Sequence, residues 1–195
     1  WRAAALTAAG GVVGGALVWG GLMILSPALE PGELVVRVGS FLQTGGEDRP
    51  WLKDSIAAFV ARSLGQSPDF LVCKPNQLCR KATVTLRAGV RISDSLLSLT
   101  VRSDELFGLR VAEYTGHWEQ WRAIADIVAY DVLRTLWRQS SPLAEWLPLK
   151  ALPRTAAGFN LWLRAEGFFN GAQWSNARDA YREVVEFDPT CLLCW

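Results

Sequence analysis

The run ATVTLRAGV, residues 82–90, decides the fold class that this sequence predicts. In it, apolar Val84 and Leu86 alternate with polar neighbours, which is the pattern of a strand with one buried face. Two further apolar runs, residues 96–101 and residues 106–114, follow after short polar connectors. Connectors of this composition favour hairpins, so the three runs predict a β-meander.

The residues around the meander predict a strand, a helix and a second strand before it, and a helix after it. Residues 34–42 are rich in β-branched side chains, and residues 70–73 form a shorter apolar run. Residues 51–64 and residues 117–139 have apolar side chains at helical spacing. The predicted order is therefore βαβ, meander, α, which favours an α+β sandwich with its helices on one face of the sheet.

The composition bears on the class of function. The 195 residues contain 20 Lys and Arg against 19 Asp and Glu, a formal net charge of +1, which argues against a nucleic-acid-binding protein. The single histidine, His117, argues against a multi-histidine metal site. Because phosphate-binding loops, dinucleotide fingerprints and kinase motifs are also missing from the sequence, we predict a protein that is not an enzyme. It has no predicted catalytic, cofactor-binding or metal-binding residue and no evident small-molecule substrate.

Residues 1–29 form an apolar N-terminal segment in which no charged residue follows Arg2. An apolar run of about 20 residues is long enough to cross a bilayer, so this segment predicts a single transmembrane helix. Arg2 places the N-terminus in the cytoplasm under the positive-inside tendency. The predicted location is then the inner membrane, in contact with lipid, with the bulk of the chain in the periplasm. A cleaved signal peptide and a buried soluble helix are the alternatives.

Four glycines in this segment, Gly10, Gly11, Gly14 and Gly15, form two overlapping GxxxG patterns. Small residues four positions apart let a second helix approach closely, so they predict a helix–helix contact. The alternative is the general enrichment of glycine in membrane helices.

A helical repeat is predicted at the C-terminal end. The run RDAYREVVEFDP, residues 178–189, resembles the second helix and exit turn of a tetratricopeptide repeat. The 34-residue register of that repeat aligns Ala177, Tyr181 and Pro189, and it places Ala165 where the two helices cross. One repeat cannot bury its apolar face alone, so further repeats, the central domain or a partner must cover it. An unrelated helical hairpin is the alternative.

Residues 34–139 resemble the TolB N-terminal-like extracytoplasmic domain of bacterial proteins. The resemblance rests on the opening strand, the helix at residues 51–64, the run PDFLV at residues 68–72, and a meander that ends in YTG at residues 114–116. The chain departs from that family at residues 38–41, where VGSF replaces an apolar-Pro-Phe strand end. Such domains often follow a membrane helix and precede tetratricopeptide repeats. The resemblance therefore implies an extracytoplasmic domain, in some cases one that belongs to a transmembrane serine/threonine kinase.

The four cysteines fall in two pairs. Cys73 and Cys79 flank a short segment and form a possible disulfide, because oxidation is expected in an extracytoplasmic domain; two buried free thiols are the alternative. Cys191 and Cys194 lack the further ligands of a zinc site, the preceding strand of a thioredoxin-like site and the adjacent histidine of a c-type haem site. We predict that they are a structural or locally oxidised pair in a repeat helix.

Three tryptophans predict a protein interface near the C-terminal end. Residues 140–155 form a proline-rich linker that contains Trp146, and the repeat contains Trp162 and Trp174. The chain has too many tryptophans for the cores of two small domains, and aromatic side chains are enriched at interfaces. We therefore predict that these three residues belong to a docking surface. The repeat register also places Trp195 at the start of a following repeat.

The predicted domains are a transmembrane helix at residues 1–29, an α+β extracytoplasmic domain at residues 30–139, a linker at residues 140–155 and a TPR-like helical hairpin at residues 156–195. The predicted function is that of a single-pass membrane-anchored scaffold that binds integral membrane or periplasmic proteins. As such it would be an accessory subunit of a larger membrane complex, for example a respiratory or light-harvesting one. The alternative is the extracytoplasmic sensor region of a transmembrane serine/threonine kinase.

Overall fold

A mixed five-stranded sheet organises the fold. The computed structural model describes residues 34–46, 49–75, 82–103, 112–141, 144 and 147–195. The strands are β1 Val35–Gly46, β2 Leu71–Cys73, β3 Val84–Ser93, β4 Leu96–Ser103 and β5 Ala112–His117. Their order across the sheet is β2-β1-β3-β4-β5, in which β1 runs parallel to β2 and β3 while the β3–β4 and β4–β5 pairs are antiparallel.

Four α-helices lie within the described residues, namely α1 Pro50–Leu64, α2 Trp121–Ser140, α3 Ala156–Asn170 and α4 Trp174–Phe187. Single 3-10 turns precede α2, precede α3 and follow α4, at Trp118–Gln120, Leu149–Ala151 and Leu192–Cys194. All described residues belong to one compact unit, Pro31–Trp195. The sheet and the C-terminal hairpin are therefore parts of the same unit.

β1 contains a bulge that decides which of its side chains enter the core. Val36 and Val38 are buried at alternate positions, but the next buried side chain is that of Phe41. The three-residue step from Val38 to Phe41 faces a step of only two residues on β3, so β1 has one extra residue here. A bulge of this kind shifts the alternation by one position. As a result Phe41 is 2% exposed, whereas its neighbour Leu42 is 61% exposed.

The first helix, α1, connects β1 to β2 and covers one face of the sheet. Parallel strands require such a crossover, and a helix is its usual form. The apolar side chains that α1 buries recur every fourth residue and are Leu52, Ile56, Val60 and Leu64. Pro50 stands at the start of the helix, where its missing N–H leaves no intrahelical bond unmade. The helix ends at Gly65, whose N–H donates to the carbonyl of Ala61.

The meander continues further along the chain than its sequence pattern predicts. Residues 104–111 lie outside the described residues, and β5 extends to His117, which pairs with Leu96. The N–H of Trp118 donates to the carbonyl of Ser95, which prolongs the pairing by one bond. The α-helix predicted from residue 117 therefore begins only at Trp121, because the backbone before it is held by the sheet.

An aromatic cluster joins α2 to α3. Trp137 on α2 lies edge-on to Phe159 and Trp162 of α3, at ring-centroid distances of 5.9 and 5.1 Å, and Tyr130 lies edge-on to Phe159 at 5.9 Å. Such edge-to-face pairs add to the stabilisation from buried area. The same apolar core includes side chains of the sheet, α1, α2, α3 and α4. The hairpin is thus covered on one side by the helical layer of the sheet domain.

The fold class predicted from the sequence is wrong in including an N-terminal transmembrane helix. None of the helices in the part of the chain that the structure describes is long and apolar enough to cross a membrane. The segment at residues 1–29 that was expected to form the span, together with Gly10, Gly11, Gly14 and Gly15, lies outside the described residues. The corrected fold class is α+β, with a mixed sheet, four α-helices in the described residues and the C-terminal pair arranged as a hairpin.

Candidate interaction surface on the C-terminal hairpin

Small side chains bring α3 and α4 together. Ala165 of α3 is fully buried. Three small side chains of α4 are at most 5% exposed, those of Ala177, Ala180 and Val184. The register of the tetratricopeptide repeat placed Ala165 at the helix crossing, and a small residue lets two backbones approach closely there. Between the helices, Gly171–Gln173 forms the turn, and the N–H groups of Gly171 and Gln173 donate to carbonyls at the end of α3.

Polar side chains also link the two helices. The Tyr181 hydroxyl donates to the Glu166 carboxylate at 2.5 Å, and Arg164 pairs with Glu183. Burial of the phenol, together with its bond to Glu166, raises the pKa of Tyr181 far above its usual value. The phenol therefore stays protonated and remains a hydrogen-bond donor at any physiological pH.

A groove runs along the outer side of α4, and it is the candidate functional site. We call it the α4 groove and define it by Arg178, Tyr181, Arg182, Val185, Glu186, Cys194 and Trp195. Its volume is about 580 Å³. Tyr181 and Val185 are half-buried at its base, while Trp195 at its end is 82% exposed. An exposed indole beside an apolar floor is typical of a surface that binds another protein.

Basic side chains border the α4 groove. Arg178 contacts Asp179 at 3.1 Å, and Arg182 contacts the same carboxylate oxygen at 3.9 Å. All three side chains are more than 60% exposed, so these pairs contribute little to stability. Glu186 also lines the groove and, together with Asp179, balances the two arginines, so the border offers charged groups of both signs to a partner.

A disulfide-bonded turn places Trp195 beside α4. Cys191 and Cys194 form a disulfide with a Cα–Cα distance of 5.5 Å, and both are buried. The pair was predicted to be structural or locally oxidised within a repeat helix, and the structure places it in a single 3-10 turn instead. The chain turns there because the N–H of Cys194 donates back to the Cys191 carbonyl.

Asp188 ties this turn to the segment before α3. Its carboxylate accepts hydrogen bonds from the backbone N–H of Arg154 at 2.9 Å and from the N–H and hydroxyl of Thr190 at 3.0 and 2.6 Å. Burial opposes ionisation of Asp188, but the bonds from Thr190 and Arg154 outweigh it and lower the pKa of Asp188 below its usual 3.8.

We expect Asp188→Asn to lower the free energy of unfolding at pH 7 by about 1 kcal/mol, the usual net worth of such hydrogen bonds. A carboxyl whose folded pKa is lowered stabilises the fold above its unfolded pKa, and that stability is lost as the pH falls through the folded pKa. The difference between the two proteins should therefore shrink below about pH 4. Urea unfolding at pH 7, 5 and 3 measures it. A constant difference at all three values would contradict the assigned role of the charge.

The three tryptophans predicted as a docking surface do not lie together on it. Trp146 lies outside the described residues. Trp162 is 1% exposed within the aromatic cluster, so its predicted place on a docking surface is wrong: the face of α3 that contains it is covered by α2. Trp174 is 61% exposed at the start of α4 and lies edge-on to Phe169 at 5.3 Å.

The remaining candidate residues have the following places. Cys73, in β2, is disulfide-bonded, whereas Cys79 lies outside the described residues, so the Cys73–Cys79 pairing stays a prediction. His117 ends β5, with its Nδ1 3.7 Å from a Glu119 oxygen and 45% of its side chain exposed. Among the described residues, no three His, Cys, Asp or Glu side chains are grouped as a metal site would require.

The sequence contains a pattern that could have identified the α4-groove residues that our prediction missed. Arg178, Arg182 and Val185 recur at helical spacing on one side of α4, away from buried Ala177, Ala180 and Val184. The amphipathic pattern therefore separates an inner from an outer side. What the pattern does not contain is the return of the chain through the disulfide-bonded turn, which places Trp195 at the outer side.

The chain matches no protein-family model, and a search of curated proteins finds no match either. The resemblances to the TolB N-terminal-like domain and to the tetratricopeptide repeat therefore stay predictions based on the residues themselves.

Proposed function

We propose that this protein is a non-catalytic scaffold whose C-terminal hairpin binds a helix of a partner protein in the α4 groove. The observation on which this rests is the groove itself, with half-buried Tyr181 and Val185 at its base and Trp195 82% exposed beside them. An amphipathic helix buries its apolar stripe in such a groove, at anchor positions three and four residues apart.

The partner helix carries a carboxylate on the side that faces the two arginines of the groove. Arg178 and Arg182 border the groove, and a carboxylate on the partner would pair with either guanidinium once Asp179 is displaced. Charge complementarity of this kind sets the orientation of the bound helix and speeds association more than it adds affinity. The role of accessory subunit in a larger complex follows from this mode of binding.

The disulfides support a location outside the reducing cytoplasm. Cys191 and Cys194 are bonded to each other, and Cys73 is also disulfide-bonded. Disulfides form and persist in oxidising compartments such as the bacterial periplasm. The partner would then be a protein exposed to the same compartment. A sensor region of a transmembrane kinase stays the alternative prediction.

The test compares the full chain with Arg182→Glu and with Trp195→Ala, each purified from the native organism and examined by native mass spectrometry. Both residues are exposed, so both variants should fold. We expect the wild type to form a complex of fixed stoichiometry. Either substitution should raise the dissociation constant of that complex about tenfold, because losing an aromatic anchor or a charge partner at an interface costs about 1 kcal/mol or more.

The matched control is Trp174→Ala, which removes an equally large exposed indole that does not line the α4 groove. It should leave the complex intact. A wild-type protein that is monomeric after gentle purification would overturn the proposal, as would a homodimer or a complex that all three variants retain equally.

A further inference from the structure

The face of the sheet opposite the helices has two arginines side by side. Arg87 on β3 and Arg102 on β4 are direct partners in the antiparallel register, and both side chains are exposed. Direct partners point to the same face, with Cβ atoms about 4.5–5.5 Å apart. Two like charges in these positions repel each other and destabilise the pair.

Nothing in the described part of the chain neutralises these two charges. Neither the Arg87 nor the Arg102 side chain takes part in an ion pair or hydrogen bond there, whereas four other arginine side chains contact carboxylates, namely those of Arg134, Arg164, Arg178 and Arg182. The Glu113 carboxylate lies on the same face, but it accepts a hydrogen bond from the Ser98 hydroxyl at 2.8 Å, further along the sheet. Within the described residues, the arginine pair is thus a site of positive charge without a paired carboxylate.

A depression of about 650 Å³ lies beside the pair, and its lining includes Leu42, Thr44, Gly89 and Thr100 as well as the two arginines. Gly89 lines it without a side chain, and a Cβ there would lie 3.0 Å from the Thr44 methyl carbon, so Thr44 would have to shift to admit one. Leu42, 61% exposed, supplies an apolar wall. The depression has the size of a small-molecule site, which typically combines an apolar lining with a few convergent polar groups.

We propose that this depression, which we call the sheet-face site, binds a small organic anion. Its phosphate or carboxylate group lies between the guanidinium groups of Arg87 and Arg102, and its apolar part lies against Leu42. Guanidinium groups present planar pairs of donors that match these oxyanions, and they stay charged at every physiological pH. The bound anion relieves the repulsion between the two arginines, so binding and local stability are coupled. The proposal does not depend on the α4 groove.

The probe for the test is phenyl phosphate, which combines the oxyanion with an apolar ring. We expect isothermal titration calorimetry to show saturable binding of one phenyl phosphate per chain. Arg87→Gln and Arg102→Gln should each weaken it about tenfold or more, since charge-assisted hydrogen bonds to an oxyanion are the strong ones. Arg91→Gln is the matched control, because Arg91 is exposed on the same strand without lining the depression.

Thermal unfolding gives a second readout that does not rely on heat of binding. Saturating phenyl phosphate should raise the midpoint of the wild type and of Arg91→Gln, but not that of the Arg87→Gln/Arg102→Gln double variant. Without the probe, Arg102→Gln should unfold at the same temperature as the wild type or higher, because one of two repelling charges is gone. This also shows that the variant is folded.

Three outcomes would overturn the proposal. One is the absence of saturable binding of phenyl phosphate to the wild type at constant ionic strength. Another is an equal loss of affinity in Arg91→Gln, which would indicate general charge attraction. The third is binding to vesicles of anionic lipid without binding of free phenyl phosphate, which would assign the arginines to a membrane surface instead.

Discussion

Replacing Trp162 by alanine should lower the free energy of unfolding by about 3–5 kcal/mol, which is a large part of the total stability of a domain of this size. Trp162 is 1% exposed, and its indole lies 5.1 and 5.3 Å from the rings of Trp137 and Phe159. Removing it leaves a cavity where α3 joins α2.

Equilibrium unfolding in urea, followed by circular dichroism and by tryptophan fluorescence, measures the effect. Trp174→Ala is the control, since Trp174 is 61% exposed and should cost less than about 1 kcal/mol. Because the hairpin and the sheet share one apolar core, both probes should report a single transition. Two separate transitions, or equal effects of the two substitutions, would contradict the shared core.

Trp162→Phe should be far milder than Trp162→Ala. The indole Nε1 of Trp162 is buried and has no hydrogen-bond partner among the described residues. A buried donor without a partner costs about 1–3 kcal/mol, and phenylalanine removes that donor while keeping most of the ring. The comparison therefore separates the packing of the ring from the cost of its unpaired N–H.

The second large effect is expected at Phe41, where substitution by alanine should cost about 3–4 kcal/mol, while Leu42→Ala should cost less than about 1 kcal/mol. These neighbours differ because the bulge after Val38 turns Phe41 into the core and leaves Leu42 61% exposed. Urea unfolding of the two variants gives the comparison. Strict alternation from Val36 and Val38 would bury Leu42 instead, so a larger effect of Leu42→Ala would show that the bulge is wrongly placed.

The bulge illustrates what sequence periodicity does not contain. The β-branched side chains predicted a strand at residues 34–42, and β1 begins at Val35 and continues to Gly46. Which face Phe41 occupies depends on one extra residue opposite β3, and pairing with a distant strand decides that. The bounds of a helix depend less on distant residues. The predicted helix at residues 51–64 differs from α1 by one residue, because the apolar spacing and Pro50 that define it lie within the helix.

The predicted interface residues also show that a local pattern does not tell which side chains become buried. Composition pointed to tryptophans as interface side chains, but composition does not say which face of α3 is covered. Trp162 faces α2 and is buried, while Trp195 is 82% exposed at the α4 groove. The arginine pair of the sheet-face site is 15 residues apart in sequence, and only the β3–β4 register makes Arg87 and Arg102 neighbours.

By itself, the sequence determined the elements whose causes are local. These are the apolar spacing of α1 and α2, the alternation of β3 and β4, and the small residues that let α3 and α4 pack as a hairpin. Tertiary structure alone decided the strand order, the bulge of β1, the burial of Trp162 and the position of Trp195. The first three depend on contacts between residues far apart in the chain, for which no short-range pattern exists. The position of Trp195 depends on how the Cys191–Cys194 turn brings the chain back to the side of α4.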